Sequence, residues 1–397
     1  MNAAAQLDHA ARLGRIAELA DGFRARAHDV DDAAAFPAQS FAELRAAGLT
    51  ALTVPVEDGG AGLWWEGRYR EFYELLETLA RVDSVTAQLL QVHSHAVGIV
   101  ARLGSAEQRR LFMPGVVERG ALMASVGSEA NPSGKLADIA RTELEEMPGG
   151  RYRLTCQKYF ASLAPAADEL LIWTAIPGAG PYQDRAVIVL VPREDPCVEL
   201  VDQWDVMGMR GTVSHSVRIT GYEVPEERMI GEPGAWTRRD PRTFTAAFAA
   251  NHIGAAGAAL DFVLDWVRER PGQAESELTR AALGTMASDL YAARSSLAAA
   301  AELWDSGRYD DAELASIQAL HIGKHAGLEL TQRAFDVCGA RAAFRDHALE
   351  RIYRDVRTFS LHYRDEQYMV QVGQALLSGS FSAKGYAGAS TFPEARA

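Results

Sequence analysis

The chain has only three cysteines, Cys156, Cys197 and Cys338, in 397 residues. None forms a CxxC pair, so neither a disulfide framework nor a thiolate zinc site is indicated, and a reducing cytosol is the expected compartment. Positive charge is also in short supply. The 40 Lys and Arg against 53 Asp and Glu leave a formal net charge of -13. Nucleic-acid and anionic-membrane partners need a positive field over the contact surface, and no basic stripe supplies one. No uninterrupted apolar run is long enough to span a bilayer. The stretch "MNAAAQLDHAARLGRIAELADGF" carries acidic residues and no apolar core, so it does not read as a secretory signal. A soluble cytoplasmic protein is expected.

The common nucleotide and metal signatures are missing too. There is no GxGxxG at a strand-to-helix turn and no GxxxxGK[ST]; "PGAGPY" at 177–182 lies between two strand patterns and reads as a turn. There is no HExxH. His93 and His95 are two apart and fall on different helix faces. His321 and His325 are four apart and can share a face, but without a nearby carboxylate they read as packing or surface residues, and no metal is expected.

What is present divides into three textures. Residues 1–120 are helical in pattern, as in "REFYELLETLARVDSVTAQLLQVHSHAVGIVARLG". Ser105 with Gln108 forms a capping-box signature opening a short helix, and the Gly/Pro-punctuated "TVPVEDGGAGL" reads as a loop. Residues 121–235 hold short β-branched or aromatic runs, "RYRLTCQKYF", "ELLIWTAI", "RAVIVLV" and "SVRITGYEV", with no helical pattern between consecutive strands. An antiparallel sheet or small barrel follows. Residues 236–397 return to helix: four long Ala-rich patterns expected to form a bundle, then a tail of loop composition. The fold class is α+β, a helical domain, an antiparallel β-barrel domain and a four-helix bundle.

Four stretches, in order, resemble the acyl-CoA dehydrogenase superfamily of flavoenzymes. "LGSAEQRRLFMPGVVERGALMASVGSEANPSG" is similar to the family's GTEEQ helix followed by its TEPxxGSD loop. That likeness sets Ser128 and Ser133 among the groups holding the flavin, where small residues let backbone amides approach an anionic group. "YRLTCQKYFASLAPAADELLIWTA" resembles the family's YxLxGxKxWITN strand, which implies flavin contacts for Phe160 and Ser162; Cys156 replaces a glycine. "WDVMGMRGTVSHSVRITGYEVPEERMIGEPG" matches the LGMRxSxT segment densely. "FDVCGARAAFRDHALERIYRDVRTFSLHYRDEQ" carries Arg351, Arg354, Asp355 and Arg357 on the ERxxRDxR frame.

The departures from a dehydrogenase are specific. Desaturation of an acyl-CoA needs a carboxylate positioned to take the α-proton. The resemblance puts it at Tyr363 or near Phe244, and neither is acidic; Glu366, three residues further on, is the alternative base. Segments that hold the adenosine half of FAD are altered, in "VRERPGQAESELT" and "FDVCGARA", so FAD and FMN are both expected cofactors. "RDVRTFSLH" is similar to the superfamily's flavin-dependent monooxygenase branch, of the dibenzothiophene monooxygenase and two-component hydroxylase type, in which a His after the RDxR helix lies by the flavin.

The resemblance therefore implies a monooxygenase using reduced flavin and O2 on a small non-CoA substrate. His362 is the expected acid/base, with Tyr363 beside it, and His93 and His252 are weaker candidates for the substrate pocket. With no NAD(P)H motif, reduced flavin is expected from a separate reductase. A homotetramer is implied as well. The alternatives are acyl-CoA desaturation with FAD, and a binding subunit without chemistry.

Overall fold

The structure is a computed structural model that describes residues 7–64, 67–130, 142–235 and 244–382. Five helices lead the chain: α1 (His9–Ala33), α2 (Ala38–Ala46), α3 (Tyr69–Val82), α4 (Ser84–Leu103) and α5 (Ala106–Pro114). Their starts follow local chemistry. Asp8 caps α1 by accepting from the Ala11 amide at 2.8 Å, and Asp83 caps α4 through the Val85 and Thr86 amides. Ser105 and Gln108 form the expected capping box of α5. The Gln108 side chain also donates to the carbonyls of Glu227 and Met229, tying α5 to the β region.

Eight strands follow: β1 (Met123–Val126), β2 (Glu145–Met147), β3 (Arg151–Ala161), β4 (Glu169–Ala175), β5 (Ala186–Pro192), β6 (Val198–Val201), β7 (His215–Val224) and β8 (Met229–Ile230). Among the described residues they form two four-stranded sheets, ordered β1-β4-β5-β8 and β2-β3-β7-β6, and not one closed barrel. Among the described strands each pairing is antiparallel except β1 with β4, which run parallel from Met123 opposite Glu169 to Val126 opposite Ile172, and an isolated parallel bridge joins Glu143 to Ala175. The long excursion through β2 and β3 between β1 and β4 supplies the crossover that a parallel pair requires. Cys156, at the family's glycine position, is buried where the β3–β7 register shifts.

The helical texture resumes with α6 (Phe244–Arg268), α7 (Glu277–Asp305), α8 (Tyr309–Cys338) and α9 (Ala348–Phe359). A further helix, α10 (Asp365–Ser378), follows the four that the sequence pattern indicates. Helix α6 is apolar and long enough to cross a membrane by composition, yet it is the core helix of this region, packed against α3, α7 and α8. Its small residues permit that approach: a Cβ on Gly254 would stand 2.4 Å from the carbonyl oxygen of Glu77 in α3.

The RDxR frame locks α9 onto the rest of the molecule. Arg354 donates to Asp31 of α1 at 2.6 Å, to Glu350 at 2.7 Å and to the Met207 carbonyl at 2.6 Å. Buried Asp355 accepts from the Met209 amide at 2.5 Å and from Arg351 at 3.3 Å. Burial pushes the Asp355 carboxyl up to about 6, against the pull of Arg351 and the amide. Only glycine fits at 208, since a Cβ would meet the Arg354 carbonyl oxygen at 2.1 Å. These contacts fix the direction in which the chain leaves α9, and that exit carries His362.

Candidate active site

Helix α6 presents Phe244, Phe248 and His252 at four-residue spacing, hence on one face. Each meets a ring from another element. Phe244 lies 5.2 Å from His95 of α4, centroid to centroid. Phe248 lies 4.8 Å from His362 and stacks on Tyr363 at 6.1 Å. His252 lies 4.6 Å from Phe359. With Phe244 and Phe248 themselves 5.9 Å apart, a continuous row of rings runs from His95 to His362. Trp64 and Trp173 flank its first end, at 6.0 and 6.2 Å from His95. The helical N-terminal region, the β region and the C-terminal bundle thus all contribute rings to one aromatic row.

The histidines differ in what surrounds them. His93 is fully buried, with Nε2 bonded to the Thr50 carbonyl at 2.9 Å and Nδ1 accepting the Met123 amide at 3.0 Å. Both nitrogens are used in joining α4 to β1, so His93 has none to offer a substrate. This corrects the pocket role expected for it. Burial lowers its pKa to about 4, although the two backbone bonds oppose the shift. Its neighbour His95, on the other face, is the α4 imidazole that meets the ring row, although only His93 of the two was expected at the pocket.

His252 is buried with both ring nitrogens unpartnered among the described residues. Desolvation first, then the nearby charges of Lys324 and His362, lower its pKa to about 3. His362 sits in the turn between α9 and α10. Its surface remains accessible, while protein atoms crowd the ring on the Phe248 and Phe359 side. That crowding withdraws water from the charged form and pushes its pKa down to about 4. The neutral imidazole favoured by that crowding can accept or donate a proton. Tyr363 has a buried hydroxyl without a partner among the described residues, raised well above its ordinary pKa by burial, and is therefore a neutral phenol.

The residues expected around the flavin fall at the end of β3. Phe160 is 64% exposed and held at φ 55°, with an edge contact to Trp204 at 6.2 Å. A non-glycine residue in left-handed backbone costs energy, and Leu163, Met209 and Val213 nearby share that conformation. Ser128 is exposed and lies alongside, its carbonyl accepting the Tyr159 amide at 2.8 Å. Ser162 is buried: its hydroxyl is 2.7 Å from that of Ser214, which is 2.8 Å from that of Thr212. That hydroxyl chain fixes the turn after Phe160, so Ser162 shapes the ledge more than it lines it. Ser133 lies outside the described residues. An exposed aromatic face beside hydroxyls and strained backbone suits a flat heterocycle with a polar edge, and a flavin ring has that character.

The ledge is joined to the row of rings through Lys158. This fully buried lysine donates to Glu129 and to the carbonyl of Trp173, the latter at 2.7 Å, and Trp173 faces His95. The expected alternative base, Glu366, is exposed on the first turn of α10. Its neighbour Asp365 is turned to His321 and His325. The sequence reading found no carboxylate for those two histidines; the fold provides one.

Residues 14–119 match the acyl-CoA dehydrogenase N-terminal domain and residues 246–365 the acyl-CoA dehydrogenase C-terminal domain. The chain is 27% identical over 364 residues to the putative acyl-CoA dehydrogenase YdbM of Bacillus subtilis (strain 168), covering 87% of this chain and 91% of that protein. It is 26% identical over 381 residues to a dibenzothiophene monooxygenase of Mycolicibacterium goodii, covering 87% and 88%. Among solved structures, TdsC from Paenibacillus sp. A11-2 in complex with FMN and indole superimposes with a TM-score of 0.84 at 25% identity, covering 95% of this chain and 99% of that one. Matched domains at both ends and a shared fold across nearly the whole length make this chain a member of the acyl-CoA dehydrogenase superfamily.

Proposed function

We propose that the protein is a flavin-dependent monooxygenase that takes reduced FMN or FAD and O2 and oxygenates a small, flat, non-CoA substrate. One observation carries the reading. Both positions at which the superfamily resemblance calls for a carboxylate base hold rings, Phe244 and Tyr363, and Phe248 lies between them in the same row. A desaturase has no base there. The likeness to dibenzothiophene monooxygenase and to TdsC with FMN and indole supports the same conclusion.

Bound reduced flavin supplies the reactivity toward O2. The chain's own part is to hold the flavin and the substrate and to move a proton. Phe160 provides the face for the flavin ring, with Ser128 and the hydroxyl chain of Ser162 around it. Trp64, Trp173, Phe244 and Phe248 enclose an aromatic substrate and exclude water. His362, neutral at working pH, takes a proton from an N–H or O–H of the substrate or gives one to the developing product, with the Tyr363 phenol beside it. His95 meets the far end of the row, and His252 offers unpartnered nitrogens behind Phe359 and Tyr363. Reduced flavin comes from a separate reductase. Exposed Leu278, Tyr291, Leu376 and Leu377 support self-association, consistent with a homotetramer.

Acyl-CoA desaturation is the second reading, favoured by the likeness to YdbM, and it would need Glu366 to reach the site. An anaerobic panel of acyl-CoAs distinguishes the two. The monooxygenase reading expects no bleaching of bound oxidised flavin at any chain length, and bleaching by one acyl-CoA would replace it.

A further inference from the structure

Outside the row of rings, one cluster of side chains has the composition of a metal site. His321 and His325 lie one helical turn apart on α8, with ring centroids 4.5 Å apart. Asp365, the first residue of α10, approaches both. Its Oδ2 lies 2.8 Å from His321 Nδ1 and 3.4 Å from His325 Nε2. The three atoms all fall within 4.8 Å of one another. Donors about 2.0–2.2 Å from a tetrahedral ion stand a little over 3 Å apart, so modest rotation of two side chains brings all three to ligating positions. The helix fixes the spacing of the imidazoles, and the partly buried carboxylate converges on both from a second element.

We propose that His321 Nδ1, His325 Nε2 and Asp365 Oδ2 form a three-ligand site for a divalent transition-metal ion of the zinc type. Two imidazole nitrogens select such an ion over calcium or magnesium, which prefer all-oxygen sets. His325 is 60% exposed along its side chain, so water can reach the ion and complete its coordination. The carboxylate balances one of the two positive charges.

The position gives the ion a consequence. Asp365 follows His362 by three residues, and Lys324, beside His325, lies 5.2 Å over the Tyr363 ring. A metal at this point ties the turn that carries His362 and Tyr363 to α8, where hydrogen bonds to one carboxylate oxygen now do so. It is a clamp on that turn, away from the reacting atoms.

The test uses the full chain without an affinity tag, stripped with chelator and dialysed against Zn2+ or Co2+. The expected result is one equivalent bound per chain, with visible cobalt absorption of a low-symmetry nitrogen and oxygen site. His325→Ala and Asp365→Asn should each weaken uptake by at least about tenfold. Zn2+ should raise the thermal midpoint of the parent chain and leave that of His325→Ala unmoved; the exposed position of His325 keeps this variant folded. No uptake by the parent chain, or uptake that survives both substitutions, overturns the proposal and leaves a hydrogen-bonded His–Asp cluster.

Discussion

The His362 imidazole and the Phe248 ring lie 4.8 Å apart, joining the turn after α9 to the face of the core helix α6 that carries Phe248. This contact sets the environment of the proposed acid/base. It removes water from one side of the imidazole, which favours the neutral form of the ring. Replacing His362 with Ala should lower product formation by about 10²–10⁴-fold, the usual worth of a positioned proton-transfer group. Flavin affinity should stay within a few-fold, because the proposed flavin ledge is built from β3. Titration of FMN and FAD alongside steady-state turnover checks both; loss of flavin binding in proportion to activity would count against the assignment.

Phe248 itself is buried and touches Phe244, Phe359, His362 and Tyr363. Phe248→Ala should cost about 3–5 kcal/mol in a denaturant titration, as large-to-small changes of buried aromatics do. Phe248→Leu keeps most of the volume. It should fold normally and raise the KM for an aromatic substrate more than it changes flavin affinity.

Lys158 and Glu129 form an ion pair with the lysine fully buried. Removing one partner leaves an uncompensated charge, so Lys158→Met should destabilise by about 3–5 kcal/mol. The double change Lys158→Met with Glu129→Leu should recover a good part of that loss. Equal destabilisation in the single and double variants would show that the lysine's contact with the Trp173 carbonyl matters more than the pair.

Stability should fall on mild acidification. His93 and His252 carry folded pKa values lowered to about 4 and about 3, each chiefly by burial, from an ordinary 6.5. The unfolded chain therefore binds more protons as pH drops below about 6.5, and stability present above that pH is lost toward the folded values. At pH 5 the loss is about 2 kcal/mol per imidazole. Thermal midpoints between pH 7 and pH 5 should drop less steeply in His252→Phe than in the parent; equal slopes would contradict the assignment.

Local signals in the sequence were reliable where the chemistry is local. The Ser105–Gln108 capping box, the strands around "RYRLTCQKYF", "ELLIWTAI", "RAVIVLV" and "SVRITGYEV", and the position of His362 just past the RDxR helix all appear in the structure as read. The choice between His93 and His95 was not legible. Helix α4 is buried on nearly every side, so periodicity shows that the two face apart without showing which side is core. Trp64, Trp173 and Phe248 come from three separate segments and have no common motif. Helix α10 begins at Asp365 after an N-cap residue, Arg364, that makes no side-chain capping bond, which hid its start. The approach of Asp365 to His321 and His325 is a tertiary contact between α8 and α10 that no local spacing encodes.

The central claim is that this chain transfers oxygen to an aromatic substrate with His362 in the proton path. The direct measurement is turnover of indole with isotopically labelled O2, FMN and a separate NADH-dependent flavin reductase, followed by mass spectrometry of the product. The account predicts one labelled oxygen atom in the product of the parent chain and little labelled product from His362→Ala. Indole recovered unchanged, with all O2 released as hydrogen peroxide in both proteins, would contradict it.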